Sequence, residues 1–207
     1  MCGVTDEHLQ QNRTERAAYW RGVGQLETVP TIRPARAGDP TWPGGSPTFL
    51  SIVTPYAGVY ASDGLSDVAG VEVYVEGREL VPGASEGGDW LRELLEELAG
   101  SLAGAGDVRA EIVEHGLLSV DLEVPSAPED WRSDGRVSAL LGIHLPGREL
   151  AAAVGGGFVP VLTVSPLRPS ERAIIEAEGG AGRRRVAEAL AASGWHSYAE
   201  TARPAVL

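Results

Sequence analysis

The segment "ASDGLSDVAGVEVYVE", residues 61–76, sets two acid-serine groups, Ser62-Asp63-Gly64 and Ser66-Asp67, in a glycine turn ahead of an alternating stretch. Three kinds of chemistry could use these residues. Ser62 or Ser66, paired in space with His115, His144 or His196, would make a serine-dependent hydrolase, because such triads are assembled by folding and not by adjacency. Neither serine lies in the G-x-S-x-G pattern of a nucleophile elbow. His144 falls in an apolar alternating run, and His196 follows Gly194-Trp195 near the end of the sequence. Asp63, Asp67 and Glu72 could offer oxygens to a hard cation, but their spacing departs from a D-x-[DN]-x-[DN]-G loop. No His pair at i,i+4 and no Cys pair is present to hold zinc. The third reading is a turn that satisfies itself. Asp and Ser side chains bond nearby backbone amides, and glycine accepts positive φ. Ser62, Asp63, Gly64, Ser66 and Asp67 are therefore assigned to a structural turn, with Leu65 directed into the core. No catalytic residue, cofactor or metal ligand is assigned.

Two other motifs fare less well as chemistry. The start Met1-Cys2-Gly3 would place a free amine beside a thiol once Met1 is removed, as in class II glutamine amidotransferases. That chemistry needs an Asn-Gly oxyanion hole, whereas the sole Asn, Asn12, falls in the first predicted helix. The "GGGF" and "GGAG" runs lack the Lys of a phosphate-binding loop.

Composition narrows the function classes. The 207 residues are 43% hydrophobic, enough for a packed core. All 17 basic residues are Arg, and the net charge is −12. Nucleic acid and anionic membrane need a cationic surface, so neither is expected as the main partner, and a basic protein fits better. Arg183-Arg184-Arg185, the one compact basic run, is expected on a solvated helix face. No apolar run approaches the ~18 residues of a membrane span, and the N-terminus lacks a signal-peptide core. A single Cys permits no internal disulfide. These features point to a cytoplasmic protein.

The elements that must position the turn follow from periodicity. "TDEHLQQNRTERAAYWRGV" predicts a surface helix, and residues 28–47, with five prolines and three glycines, predict an ordered arm or a linker, with Trp42 favouring the arm. "TFLSIVT" and "GVYAS" predict two strands. Val71, Val73 and Val75, alternating with Glu72, Tyr74 and Glu76, predict a third with one buried face. Asp89 is placed to cap a helix in which Trp90, Leu91, Leu94, Leu95 and Leu98 share one side. Strands follow at "LLSVDLEV", "SALLGIHL" and "GFVPVLTVSPL", the last read as a buried central strand with Pro160 at its start or at a bulge. Two closing helices, "PSERAIIEAEGG" and "GRRRVAEALAASGW", complete an α+β domain with a mixed sheet packed against helices.

Several of these stretches, in this order, resemble suppressor-of-fused-like (SUFU-like) domains. "YASDGLSDVAGVEVYVE" is similar to that family's strand, (T/S)-(D/E)-G-L-S-D turn and G-x-E-(L/V)-(Y/F)-(V/I) strand. "DWLRELLEELAGSLAG" matches its central helix, "VPVLTVSPLRPSERAIIEAEGGAGRRRVAEAL" its closing unit, and "WPGG" suits bacterial members. The resemblance spans roughly residues 40–192. It departs at Arg168, where the family tends to have Thr; Arg cannot accept amide hydrogen bonds, so Ser170 is expected to take over the helix cap or the cap is lost. Residues 125–137 align to nothing.

The resemblance implies a non-enzymatic domain that acts by binding protein. The animal namesake sequesters a transcription factor of the Hedgehog pathway, and bacterial relatives are proposed to be immunity proteins that neutralise toxins. The expected layout is an N-terminal helical segment at 1–27, the arm at 28–47, the SUFU-like domain at 48–192 and a tail at 193–207. A basic toxin domain is the expected kind of partner. Glu93, Glu96 and Glu97 on the polar side of the central helix, with Glu72 and Glu76 on the expected open strand face, are the candidate partner-binding residues. Trp131, Trp195 and Tyr198 are the alternative, as an interface between copies of the chain.

Overall fold

The computed structural model describes residues 6–34, 42, 45–84, 87–196 and 198–207; Cys2 and part of the proline-rich arm lie outside them. Along the chain run α1 (Asp6–Val23), β1 (Gln25–Leu26), β2 (Thr31–Ile32), β3 (Thr48–Val53), β4 (Gly58–Ser62), α2 (Ser66–Ala69), β5 (Glu72–Gly77), α3 (Asp89–Ala105) and α4 (Arg109–His115). They continue as β6 (Leu118–Leu122), β7 (Arg132–Ser133), β8 (Arg136–Leu141), β9 (Ala151–Val154), β10 (Gly157–Leu167), α5 (Pro169–Glu178) and α6 (Gly180–Ala192). The strands form a mixed sheet ordered β1-β3-β4-β5-β10-β8-β6, with β2, β7 and β9 pairing β3, β8 and β10 respectively.

β10 is the spine of that sheet. Its residues 157–160 pair antiparallel with β9, 161–163 parallel with β5, and 164–167 antiparallel with β8. A strand covered on both faces reads as a near-continuous apolar run, as this one does. Pro160 falls at the handover from β9 to β5, where its missing N–H interrupts neither ladder.

Side chains alternate between two cores. Phe49, Tyr60, Val73 and Val75 face Leu91, Leu94, Leu95 and Leu98 of α3. Each such leucine contributes roughly 1.5–3 kcal/mol when fully buried. Leu50, Ile52, Val59, Ala61 and Tyr74 point the other way and pack under Trp20 of α1. The single buried face expected for β5 is thus corrected: all six of its residues are buried, because α1 covers the opposite side. Trp20 meets Tyr74 edge to face at 5.5 Å between ring centres, the arrangement the ring quadrupoles favour.

Other boundaries also differ from the pattern-based expectations. α3 starts at Asp89 with Gly88 in the cap position, so Asp89 supplies first-turn charge and not the cap. Arg168 occupies the cap position of α5; its N–H donates to the Glu171 carboxylate at 2.8 Å, while Ser170 Oγ turns away to the Leu207 carbonyl. Ser170 therefore does not take over the cap, and among the described residues no side chain accepts the first-turn amides, so the side-chain cap is lost. The third-position carboxylate supplies half of a capping box.

The last residues close the structure. Ala199 N–H donates to the Glu76 carbonyl at 2.7 Å, Trp90 Nε1 donates to Thr201 Oγ1 at 2.8 Å, and Arg203 pairs with buried Glu171 through two contacts of 2.7 Å. Trp131 is 1% exposed beneath the Arg168 guanidinium, 3.9 Å from its ring centre, and so cannot serve as an interface aromatic. The Ala199 carbonyl approaches Gly77 so closely that a methyl group there would overlap it. Gly77→Ala is expected to cost ~1–3 kcal/mol in urea denaturation, the range for overpacking. An unchanged midpoint would show that the terminal segment does not brace β5.

Candidate functional site

The acid-serine turn lies where β4 ends and α2 begins, under the N-terminal half of α1. Gly64 takes φ +108, a conformation that side chains disfavour. Leu65, next to it, is fully buried in the α3-facing core. The polar groups converge on Glu72, the first residue of β5. Ser62 Oγ donates to Glu72 Oε2 at 2.5 Å and accepts the Val73 N–H at 3.0 Å. Glu72 Oε1 accepts from Gly64 N–H at 3.1 Å, Ser66 N–H at 3.0 Å and Ser66 Oγ at 2.7 Å. The turn is thus satisfied by a strand carboxylate in addition to its own side chains.

Above it, α1 supplies the cations. Arg16 Nε lies 2.7 Å from Asp63 Oδ1 and 3.6 Å from Glu72 Oε1, and its Nη1 lies 3.1 Å from Asp67 Oδ2. Arg13 Nε meets Asp63 Oδ2 at 3.1 Å, and Asn12 Nδ2 donates to Asp67 Oδ1 at 2.8 Å. Burial works against the charge on Arg16, but Glu72, Asp63 and Asp67 outweigh it and hold its pKa above the usual value. Burial pushes the Glu72 carboxyl up, and Arg16 with the Ser62 and Ser66 donors counters only part of that.

This geometry limits what the turn can do. Arg16 fills the space among three carboxylates that a metal ion would occupy. Ser62 is fully buried with its hydroxyl committed to Glu72, and among the described residues no histidine hydrogen-bonds either serine. His115 and His144 are exposed, the first closing α4 and the second lying beyond the end of β8.

The candidate partner-binding glutamates separate into two groups. Glu72 and Glu76 are 1% and 7% exposed, so their expected place on an open strand face is corrected; α1 and residues 145–149 cover them. Glu76 pairs with Arg148 at 2.7 Å. Glu93, Glu96 and Glu97 are half-buried on α3, and each has a partner within the chain. Glu93 accepts from the N–H and hydroxyl of Ser126, Glu96 accepts from Tyr60 at 2.8 Å, and Glu97 pairs with Arg33 at 2.9 Å. Burial and the adjacent Glu96 hold the Tyr60 phenol well above its ordinary pKa.

Arg13, Arg16 and Asn12 were not anticipated as part of this site. Their signal is the i, i+4, i+8 spacing of Asn12, Arg16 and Trp20, which puts two polar residues on the same helix stripe as the buried tryptophan. Arg148 lies in a loop and carries no such signal.

A mixed sheet with helices on both faces and a buried acid-serine clasp at its second hairpin defines an α+β domain. Its particular architecture is the SUFU-like fold. The structure is similar to that of a protein assigned as a SUFU (suppressor of fused protein) homologue from Neisseria gonorrhoeae FA 1090, with a TM-score of 0.62 and 13% identity over 98% of each chain. No model of a known protein family matches, and neither does any curated protein sequence. Among the described residues no helix is long and apolar enough to cross a membrane.

Ser62→Ala removes one donor to Glu72 and one acceptor for the Val73 N–H, both in a buried setting. A loss of ~1–3 kcal/mol is expected on chemical denaturation, the cost of leaving such groups unsatisfied. Wild-type stability in that variant would contradict a structural role.

Proposed function

We propose that the protein is a non-enzymatic binding domain that captures a basic protein partner, acting as an immunity or sequestering protein. The observation that carries this reading is the internal pairing of the residues most suited to chemistry. Ser62, Ser66, Asp63, Asp67 and Glu72 hydrogen-bond or ion-pair with one another and with α1. Groups spent in this way stabilise a scaffold, and a scaffold of this kind acts through its surface.

The charge supports the choice of partner. A net −12 steers a basic protein toward the surface and repels phosphate backbones. The fold supports it as well, since a SUFU-like architecture is compatible with partner capture.

The test is affinity capture with the tagged protein from its native cell, analysed by mass spectrometry at low and high salt. A basic protein retained at low salt and weakened at high salt is the expected result, because screening reduces steering between exposed charges. Recovery of the protein alone at both salts would overturn the reading.

A further inference from the structure

A cavity of about 730 Å³ opens between the C-terminal turn of α1, the β3–β4 turn and residues 145–149. This is within the range of ligand-binding clefts. Tyr19, Tyr56 and Tyr198 line it together with Glu76, Arg148 and Glu149. The acid-serine clasp contributes nothing to it.

Three features of the cavity are unbalanced. Arg148 Nη2 pairs with Glu76 Oε2 at 2.7 Å, yet its Nη1 is buried with no hydrogen-bond partner. A buried donor left unsatisfied is costly, so the Arg148 side chain is held here by its pair with Glu76. Two acidic residues, Glu76 and Glu149, line the cavity with one arginine, Arg148, leaving a negative excess in an already acidic protein. Burial pushes the Glu76 carboxyl up despite Arg148, so a further cation there would relieve a standing cost. Finally, Tyr56 is 84% exposed at the rim, an unusual place for a large aromatic ring. The Tyr198 hydroxyl donates to its carbonyl at 3.3 Å and holds the rim together.

We propose that this cavity receives an arginine side chain of the captured protein, its guanidinium set between Glu76 and Glu149 against the tyrosine rings. Arginine suits the lining better than lysine, because a planar, weakly hydrated guanidinium stacks on aromatic faces. Arg148, which lines the cavity, itself lies over Tyr74, 5.3 Å from the ring centre, so this stacking chemistry is already in use beside it. The assignment rests on the reading of the protein as a binder of basic protein, and names where one anchor of that partner would sit.

The test uses acetyl-Gly-Arg-Gly-amide, with acetyl-Gly-Glu-Gly-amide and acetyl-Gly-Leu-Gly-amide as controls. The protein carries 3-fluorotyrosine, and its five tyrosines report by fluorine NMR. Saturable shifts at Tyr19, Tyr56 and Tyr198 with the arginine peptide, and not at Tyr60 beneath α3, are expected at millimolar concentration. Glu76→Gln should weaken binding about tenfold, equivalent to ~1.4 kcal/mol. Because Glu76 is buried, Tyr56→Ala provides a variant at an exposed ring; it should weaken binding several-fold with an unchanged melting temperature. Equal shifts from the leucine or glutamate peptide, or full affinity in Tyr56→Ala, would overturn the assignment. Capture from the native cell separates the two ideas. A basic partner retained equally by wild type and Tyr56→Ala would sink the cavity and leave the binding function standing, whereas no partner for wild type would sink the function itself.

Discussion

The ion pairs between Arg16 and the carboxylates of Asp63, Asp67 and Glu72 couple the N-terminal helix to the sheet. Glu72 sits on a strand face that would otherwise need to be apolar, and an isolated carboxylate there would carry a large desolvation penalty. Arg16, together with the hydroxyls and amides of the turn, offsets part of that penalty. With the carboxylates paired in this way, Trp20 lies on Tyr74 one helical turn further along, and α1 covers the second face of β3, β4 and β5. A polar cluster of this kind favours the arrangement of helix over sheet that brings these charges together, because a buried carboxylate left unpaired is costly.

A second lock operates at the far end of the chain. The Arg203–Glu171 pair, with Arg168 stacked on Trp131, ties the C-terminal segment to the start of α5 and to the central helix through Trp90 and Thr201. The first helix and the C-terminal segment are thus each held by an arginine that reaches a buried glutamate. The cavity at Glu76 and Arg148 lies between these locks, with walls from α1 on one side and Tyr198 on the other. Its lining is therefore positioned by the same contacts that close the fold.

Much of this was legible in the sequence where hydrophobic periodicity is strong. The heptad-like leucines of α3 and the apolar run of β10 announce a buried helix and a buried central strand. α4 escaped notice because none of its residues is buried, so it has no apolar stripe. β9 escaped because alanines dominate it and alanine is a poor strand signal. The turn was recognisable from its residue types, but its partner was not. Glu72 alternates with valines in the manner of a solvent-facing residue, and only the cover provided by α1 reveals it as buried. That cover was hidden in turn, since Asn12 and Arg16 put polar residues on the inner stripe of α1. Charge pairing across more than forty residues of chain leaves no local periodic trace.

The central claim, that Arg16 and the acid-serine turn form one clasp on which the scaffold depends, is most directly tested by a double-mutant cycle of Arg16→Met and Asp63→Asn on chemical denaturation. Breaking a buried ion pair from one side costs ~3–5 kcal/mol. The clasp therefore predicts a large loss for Arg16→Met and a coupling energy of roughly 2 kcal/mol or more between the two positions. Effects that add to within about 0.5 kcal/mol, with little loss for Arg16→Met alone, would mean that the turn stands without the helix.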